Sequence, residues 1–284
     1  MDALVDRLWE LANEDDDLHT ARRVERITEA RALWRALEVL LTSLKLQEFV
    51  VGDGAFPKLL ASIRSVLSDP SYWVDKPSEE ESNSVFICVN RVLLNVGRRG
   101  AHEREELVRD GVADLVVQCG EAAQNYPLTA LEAIAALQTL QLLVADSLQV
   151  SHTIRMCILL MHKHETVYAL QLRACQFLRQ MALEEECKER VGRRGGLQAL
   201  TKALARFPEE TELVVTALDV LEFLCAELEY RDDSVQTDPF RSANSNDLYR
   251  VVRAVVDTMR VLQSVERVQS KGVAVLNRSV SCTM

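Results

Sequence analysis

Apolar residues recur along the chain with the spacing of buried helix faces. Near the N-terminus, leucines three or four residues apart define one such face: Leu33, Leu37, Leu40, Leu41 and Leu44. Four later segments show comparable apolar periodicity: 85–96, 128–145, 168–182 and 213–227. Glycine, proline and aromatic residues, which a sheet protein needs for turns and strands, are scarce. The pattern therefore predicts an all-α protein.

A short glycine-containing segment recurs between these apolar stretches. Its copies are anchored at Gly54, Gly111, Thr153 and Gly196, the third being degenerate. Gly111 and Thr153 are 42 residues apart, and Thr153 and Gly196 are 43 apart. The interval from Gly54 to Gly111 and the interval that follows Gly196 are longer, and polar insertions at 70–84 and 231–246 explain the excess. Each unit is thus predicted to contain a short helix ending at the glycine, a middle helix and a long third helix.

This arrangement resembles armadillo repeats. The best copy is residues 189–204, with the apolar segment 214–225 after it, and the resemblance extends from about Ala30 to Gln263. It implies a right-handed superhelical solenoid of about five three-helix repeats. HEAT repeats have a similar length, so a HEAT-type or mixed helical solenoid remains open for some units.

The predicted organisation has three parts. Residues 1–29 form an N-terminal helix and an acidic linker, and the amphipathic helix caps the first repeat through Leu4, Leu8 and Leu11. Residues 30–271 form the repeat domain with its two insertions, and 272–284 form a C-terminal tail.

The resemblance implies a concave groove lined by the third helices. The importin branch of the family binds basic cargo peptides through a periodic Trp/Asn ladder, of which this chain has only Trp34 and Asn95, in different repeats. Basic-peptide cargo is therefore not expected. The predicted partner-binding residues are instead Glu38, Asn95, Gln138, Gln180 and Glu222 in the groove, with Tyr72 and Trp73 in the first insertion. A solvated helix face remains the alternative for each groove residue, and folding back over the second repeat is the alternative for the two insertion aromatics.

Charge and cysteine content narrow the function classes. The formal net charge of −10 disfavours binding to nucleic acid. Seven cysteines without a C-x-x-C spacing favour a reducing, cytoplasmic compartment. The chain has no 18-residue apolar stretch, which argues against a membrane span, and its acidic N-terminus is unlike a signal peptide.

These observations predict a non-catalytic scaffold or adaptor that binds other proteins as a subunit of a larger assembly. A cytoskeletal or ciliary setting is the expectation that the family resemblance suggests. The alternative is a regulatory or cargo adaptor that clamps an extended peptide in the groove. No nucleophile elbow, phosphate-binding loop or metal-ligand spacing is found, so no cofactor, metal or catalytic residue is predicted. The third hypothesis is an enzyme, or a module that responds to a phospholipid or a nucleotide.

Overall fold

The computed structural model describes residues 2–13, 20–42, 55–69, 85–98, 100–122, 124–140, 147–226 and 245–281. These residues contain helices and turns and no β-strand, which confirms the all-α class for the described part of the chain. The helices are α1 (Asp2–Ala12), α2 (Thr20–Leu40), α3 (Ala55–Ser68), α4 (Val85–Gly97), α5 (Ala101–Arg109), α6 (Val112–Ala122), α7 (Pro127–Leu140), α8 (Ser147–Lys163), α9 (Tyr168–Met181), α10 (Glu185–Arg193), α11 (Gly196–Arg206), α12 (Thr211–Ala226), α13 (Ser245–Val261) and α14 (Glu266–Ser281).

The chain divides into two compact units, Met1–Gln149 and Val150–Met284. In the first unit, α4 packs against both α2 and α7, while α1 packs on α3 and α3 on α6. In the second unit, α12 packs against both α9 and α14, while α11 contacts α13. Within each unit, therefore, a long helix has further long helices on two sides.

Helix α1 buries one face against its neighbours. Val5, Leu8 and Leu11 are buried, whereas Leu4 is only half-buried, so the buried face begins at Val5 rather than at Leu4. Ser65 in α3 donates a hydrogen bond to the carbonyl of Ala12 at 3.1 Å. Contacts of this kind suit a capping helix, although the capping role itself remains a prediction.

Two glycines adopt the left-handed backbone conformation that short helix-to-helix turns require. Gly111 has φ 77° between α5 and α6, and Gly195 has φ 89° between α10 and α11. Gly196 has a different role, because a Cβ there would lie 2.7 Å from the carbonyl oxygen of Val191. Gly54 lies outside the described residues.

The prediction of three helices in every unit is wrong at the degenerate copy. Residues 147–163 form one uninterrupted helix, and Thr153 is fully buried within it. No glycine is present there to leave the right-handed region, so the backbone continues its hydrogen bonding through the predicted turn. Together α8 and α9 form a two-helix hairpin, and so do α13 and α14.

A glutamine closes both hairpins in the same way. Gln171 donates through Nε2 to the carbonyls of Met161 at 2.8 Å and His164 at 3.0 Å. Gln269 donates to the carbonyls of Met259 at 2.8 Å and Leu262 at 3.1 Å. Each glutamine amide thus donates to one carbonyl in the last turn of the preceding helix and to a second carbonyl just after that helix ends.

Helices continue across the predicted domain boundaries. Helix α2 spans residues 29 and 30, and α14 spans residues 271 and 272 and extends to Ser281. Val275 and Ser279 of α14 are buried, because that helix packs on α12 and α13. The segment predicted as a tail is thus helical up to Ser281.

Candidate functional site

The long helices of the first unit are joined by an ion-pair network at their surface. Arg91 of α4 contacts Glu38 of α2 at 3.3 Å through Nη1 and Glu132 of α7 at 2.9 Å through Nε. One guanidinium therefore links three helices. Asn95, one turn further along α4, donates through Nδ2 to the carbonyl of Glu38 at 3.4 Å.

The position of Arg91 follows from the burial of α4. The helix packs between α2 and α7, and its side chains from Val85 to Asn90 are all buried. Between residues 91 and 97 only Arg91, Leu94 and Asn95 reach solvent, which is the i, i+3, i+4 spacing of one helix face. Burial disfavours the charged guanidinium, but the hydrogen bond to Glu132 and the charges of both carboxylates outweigh it and raise the pKa of Arg91.

A second network joins the long helices of the second unit. Asp219 of α12 lies 3.3 Å from Arg179 of α9 and 3.1 Å from Lys271 of α14. Lys271 also contacts Glu222 at 2.9 Å, and Arg278 lies 3.4 Å from the same carboxylate. The hydrogen bonds from the Lys271 ammonium to Glu222 and Asp219 raise its pKa.

The cations are the more exposed members of this second network. The side chain of Asp219 is 9% exposed and that of Lys271 is 32% exposed. Each unit therefore presents half-exposed basic groups above more deeply placed carboxylates. We call the two networks, with the helices that carry them, the long-helix ridges.

The structure brings some predicted partner-binding residues together. Glu38 and Asn95 meet in the ridge of the first unit, and Glu222 belongs to the ridge of the second. Gln138 is half-buried on α7 and Gln180 is half-buried on α9. The insertion residues Tyr72 and Trp73, together with 70–84 as a whole and 231–244, lie outside the described residues.

The ridge carboxylates are engaged within the chain. Glu38 and Glu222 each contact a cation of a neighbouring helix, so binding a partner through them requires competition with those pairs. Trp34, the other match to the importin ladder, is fully buried and does not line a surface.

The sequence did not single out Arg91, Glu132, Asp219, Lys271 or Arg278 as site residues. A signal for two of the pairs is present in the sequence. Arg91 and Glu132 are 41 residues apart, and Arg179 and Asp219 are 40 apart, which is close to the repeat interval. Opposite charges one repeat apart fall on adjacent long helices, where they are able to pair.

Other sequence features have local structural roles. The string VGRRG occurs at 96–100 and again at 191–195. In the first string, the carbonyl of Gly97 accepts a hydrogen bond from Arg104 at 2.9 Å. In the second, Arg193 pairs with Glu189, and Arg194 donates to Ser151 at 3.2 Å. The shared string therefore has different surroundings in its two occurrences. Among the described residues, no three His, Cys, Asp or Glu side chains are grouped as metal ligands would be.

Among the described helices, none combines the length and the apolar composition that a membrane span needs.

Comparison with known proteins shows the fold and no family. No protein-family model matches the chain, and no curated protein matches it significantly. The chain is similar to an engineered protein solved by crystallography, Northeast Structural Genomics Consortium target OR329. The TM-score is 0.63 at 15% identity, covering 98% of this chain and 97% of that one. A likeness at this identity supports the helical architecture alone.

Proposed function

We propose that the chain is a non-catalytic scaffold or adaptor that binds other proteins. The observation that carries this proposal is the pair of long-helix ridges, where Glu38, Arg91 and Glu132 in one unit and Asp219 with Lys271 in the other line helix faces with fixed polar groups. Preformed charged surfaces on packed helices are suited to recognising a partner without ordering a loop.

We further propose that the helices form an armadillo-like solenoid of about five repeats, some of which have two helices rather than three. The three-helix segments 101–140 and 185–226, each with a left-handed glycine after its first helix, support armadillo-type units. The uninterrupted α8 and α13 support HEAT-type units. Stacked repeats of either kind bury their faces against neighbours and present extended binding surfaces.

A reducing, cytoplasmic location is part of the same proposal, with cytoskeletal or ciliary association as its narrower form. The cysteines in the described side chains are free thiols and buried: Cys88, Cys119, Cys157, Cys175 and Cys187. Buried thiols that form no disulfide suit a reducing compartment.

The scaffold proposal is tested by native affinity purification of the tagged chain followed by mass spectrometry and light scattering. We expect stable companions in a complex larger than the 32.0 kDa chain. Fractionation as a free monomer without companions at physiological salt would contradict it.

The alternative function is a peptide clamp in the groove. It is favoured by Asn95, whose amide lies at the ridge surface, and disfavoured by the hydrogen bond that this amide already makes to the Glu38 carbonyl. Asn95→Ala separates the two functions when compared with Gln263→Ala, an exposed control. Loss of companions with Asn95→Ala alone favours the clamp, and unchanged binding excludes it.

A further inference from the structure

The two helical hairpins of the second unit are copies of one another at an offset of 98 residues. The glutamine clasp pairs Met161 with Met259, His164 with Leu262, and Gln171 with Gln269. The backbone follows the same offset, because Val167 donates to the carbonyl of His164 at 3.1 Å and Val265 to that of Leu262 at 3.0 Å. Every position of α8–α9 near the clasp therefore has a structural counterpart in α13–α14.

In the first hairpin, the face toward the following helices is covered. Helix α12 packs on α9, where Gln176 donates to Glu212 at 3.2 Å and Arg179 contacts Asp219. On the α8 side, Lys202 of α11 donates to Glu165 at 2.6 Å. Four apolar side chains of this hairpin are buried: Ile154, Ile158, Cys175 and Leu178.

In the second hairpin, the counterparts of those four residues remain apolar but are open to solvent. Val273, which corresponds to the fully buried Cys175, is 47% exposed. The other three are half-buried: Val252, Val256 and Leu276. We call these four residues the open face.

The opposite side of α14 is the one that packs within the chain. Gly272, Val275 and Ser279 are buried there, and Lys271 and Arg278 contact Glu222 of α12. The second hairpin thus packs one face within the chain as the first hairpin does, and no helix among the described residues covers its other face. The first hairpin shows what covers such a face, namely a helix that packs along α9.

We propose that the open face docks an acidic amphipathic α-helix of another protein, seated along α14 as α12 is seated along α9. The apolar stripe of that helix would cover Val273 and Leu276. The acidic character is inferred from Arg253 and Arg260 of α13, which follow Val252 and Val256 by one and four residues. Their side chains are highly exposed and share the carboxylate of Asp257. This inference specifies a partner class for the proposed scaffold and therefore rests on that function.

The probe is a fluorescein-labelled synthetic peptide with the sequence of residues 209–226, in which serine replaces Cys225. It has the sequence of the helix that covers the corresponding face, and it is acidic. Fluorescence anisotropy against the full chain is expected to give saturable binding. A peptide with Leu218→Asp and Leu221→Asp, in which two leucines that are buried in that helix become charged, is expected to bind at least tenfold more weakly.

A matched pair of variants locates the binding. Val273→Glu is expected to weaken peptide binding at least tenfold, whereas Val261→Glu adds the same charge at a valine that is 48% exposed and is expected to change it less than twofold. Both positions are exposed, so both variants should keep the wild-type circular dichroism. Amide hydrogen exchange should show peptide-induced protection in 249–261 and 266–281.

The peptide experiment can fail while the scaffold proposal holds, because the scaffold proposal is tested separately by the companions that co-purify. If the peptide does not bind, or if both variants weaken its binding equally, the docking proposal is wrong, even where native companions still co-purify with the chain. Self-association of the chain that Val273→Glu abolishes and Val261→Glu does not would also overturn it, by assigning the face to a second copy.

Discussion

At the scale of single residues, a glutamine amide stabilises each hairpin by joining two helix-terminal carbonyls. Gln171 is buried, whereas Gln269 is half-buried, so water is better able to replace the amide of Gln269 when it is removed. We expect Gln171→Ala to lower the free energy of unfolding by about 2 kcal/mol and Gln269→Ala by about 1 kcal/mol. Urea denaturation followed by circular dichroism measures both.

The control for the clasp is Gln263→Ala, in the exposed turn between α13 and α14. It removes a glutamine from the same hairpin without removing a clasp bond, and little change is expected. Equal effects of Gln263→Ala and Gln269→Ala would show that the two amide bonds contribute nothing specific.

The role of a residue could be predicted from the sequence where it depends on a local backbone conformation. The recurrence of glycine correctly indicated a turn at Gly111, whose φ is 77°. It marked Gly196 rather than Gly195 in the second unit, because the two adjacent glycines are indistinguishable by spacing. Gly195 takes the left-handed conformation, whereas at Gly196 the closeness of Val191 leaves no room for a Cβ, and spacing alone distinguishes neither constraint.

Adjacent glycines with different constraints give a second prediction. A Cβ on Gly195 would meet no atom within 4 Å, so Gly195→Ala pays only backbone strain, about 1–2 kcal/mol, and Gly195→Asn should pay less. Gly196→Ala is expected to destabilise the chain more than Gly195→Asn, since its Cβ would press on the Val191 carbonyl. Thermal unfolding of the three variants ranks them, and a larger loss for Gly195→Asn than for Gly196→Ala would contradict this account.

At the scale of helices, the sequence predicted long elements well and side-chain pairing poorly. Each of the five long apolar segments lies wholly or largely within a helix, as 85–96 does within α4. The uninterrupted α8 was missed, because a period fitted to neighbouring copies placed a turn at Thr153 where no residue favours one. Pairs such as Lys271 with Glu222 depend on how much each helix rotates against the next, which hydrophobic spacing does not determine.

The ion pairs of the second unit test whether burial or distance decides their strength. The Lys202–Glu165 pair is closer, at 2.6 Å, but both side chains are about half exposed. Lys271 contacts two carboxylates that are mostly buried. We expect Lys271→Met to cost about 1–2 kcal/mol of unfolding free energy and Lys202→Met to have little measurable effect, by urea denaturation at low and high salt.

A double-mutant cycle checks the cause. Glu222→Gln combined with Lys271→Met should cost less than the sum of the two single changes, because the first removes one of the carboxylates that the second leaves without its lysine. Additive effects would show that Lys271 contributes through packing of its stem rather than through charge.

At the scale of the whole molecule, charge is unevenly distributed along the chain. Residues 1–149 contain 25 acidic and 15 basic side chains, whereas residues 150–284 contain 18 of each. The net charge of −10 thus arises from the first 149 residues, and an acidic partner is repelled less by the second unit. Whole-chain composition concealed this difference, which is why net charge alone said little about where a partner binds.

Buried thiols make the stability of the whole molecule sensitive to alkaline pH. Burial raises the pKa of Cys175 to about 12 and that of Cys157 well above its usual 9.0, so the folded chain keeps both protons. The unfolded chain releases them above about pH 9. The stability that the protonated thiols give the folded chain is therefore fully present below that pH. It is lost as the pH rises toward the pKa values of the folded chain, at up to about 1.4 kcal/mol per pH unit for each thiol.

We expect urea denaturation to show a steeper loss of stability between pH 8.5 and 10.5 in the wild type than in the double variant Cys157→Ala/Cys175→Ala. The comparison concerns the slope against pH, because the cavities that the alanines create lower stability at every pH. Val214→Ala is the control, since it shortens a buried side chain without removing a titrating group and should keep the wild-type slope. Equal slopes in all three proteins would mean that the thiols ionise in the folded chain as readily as in the unfolded one, which contradicts their burial.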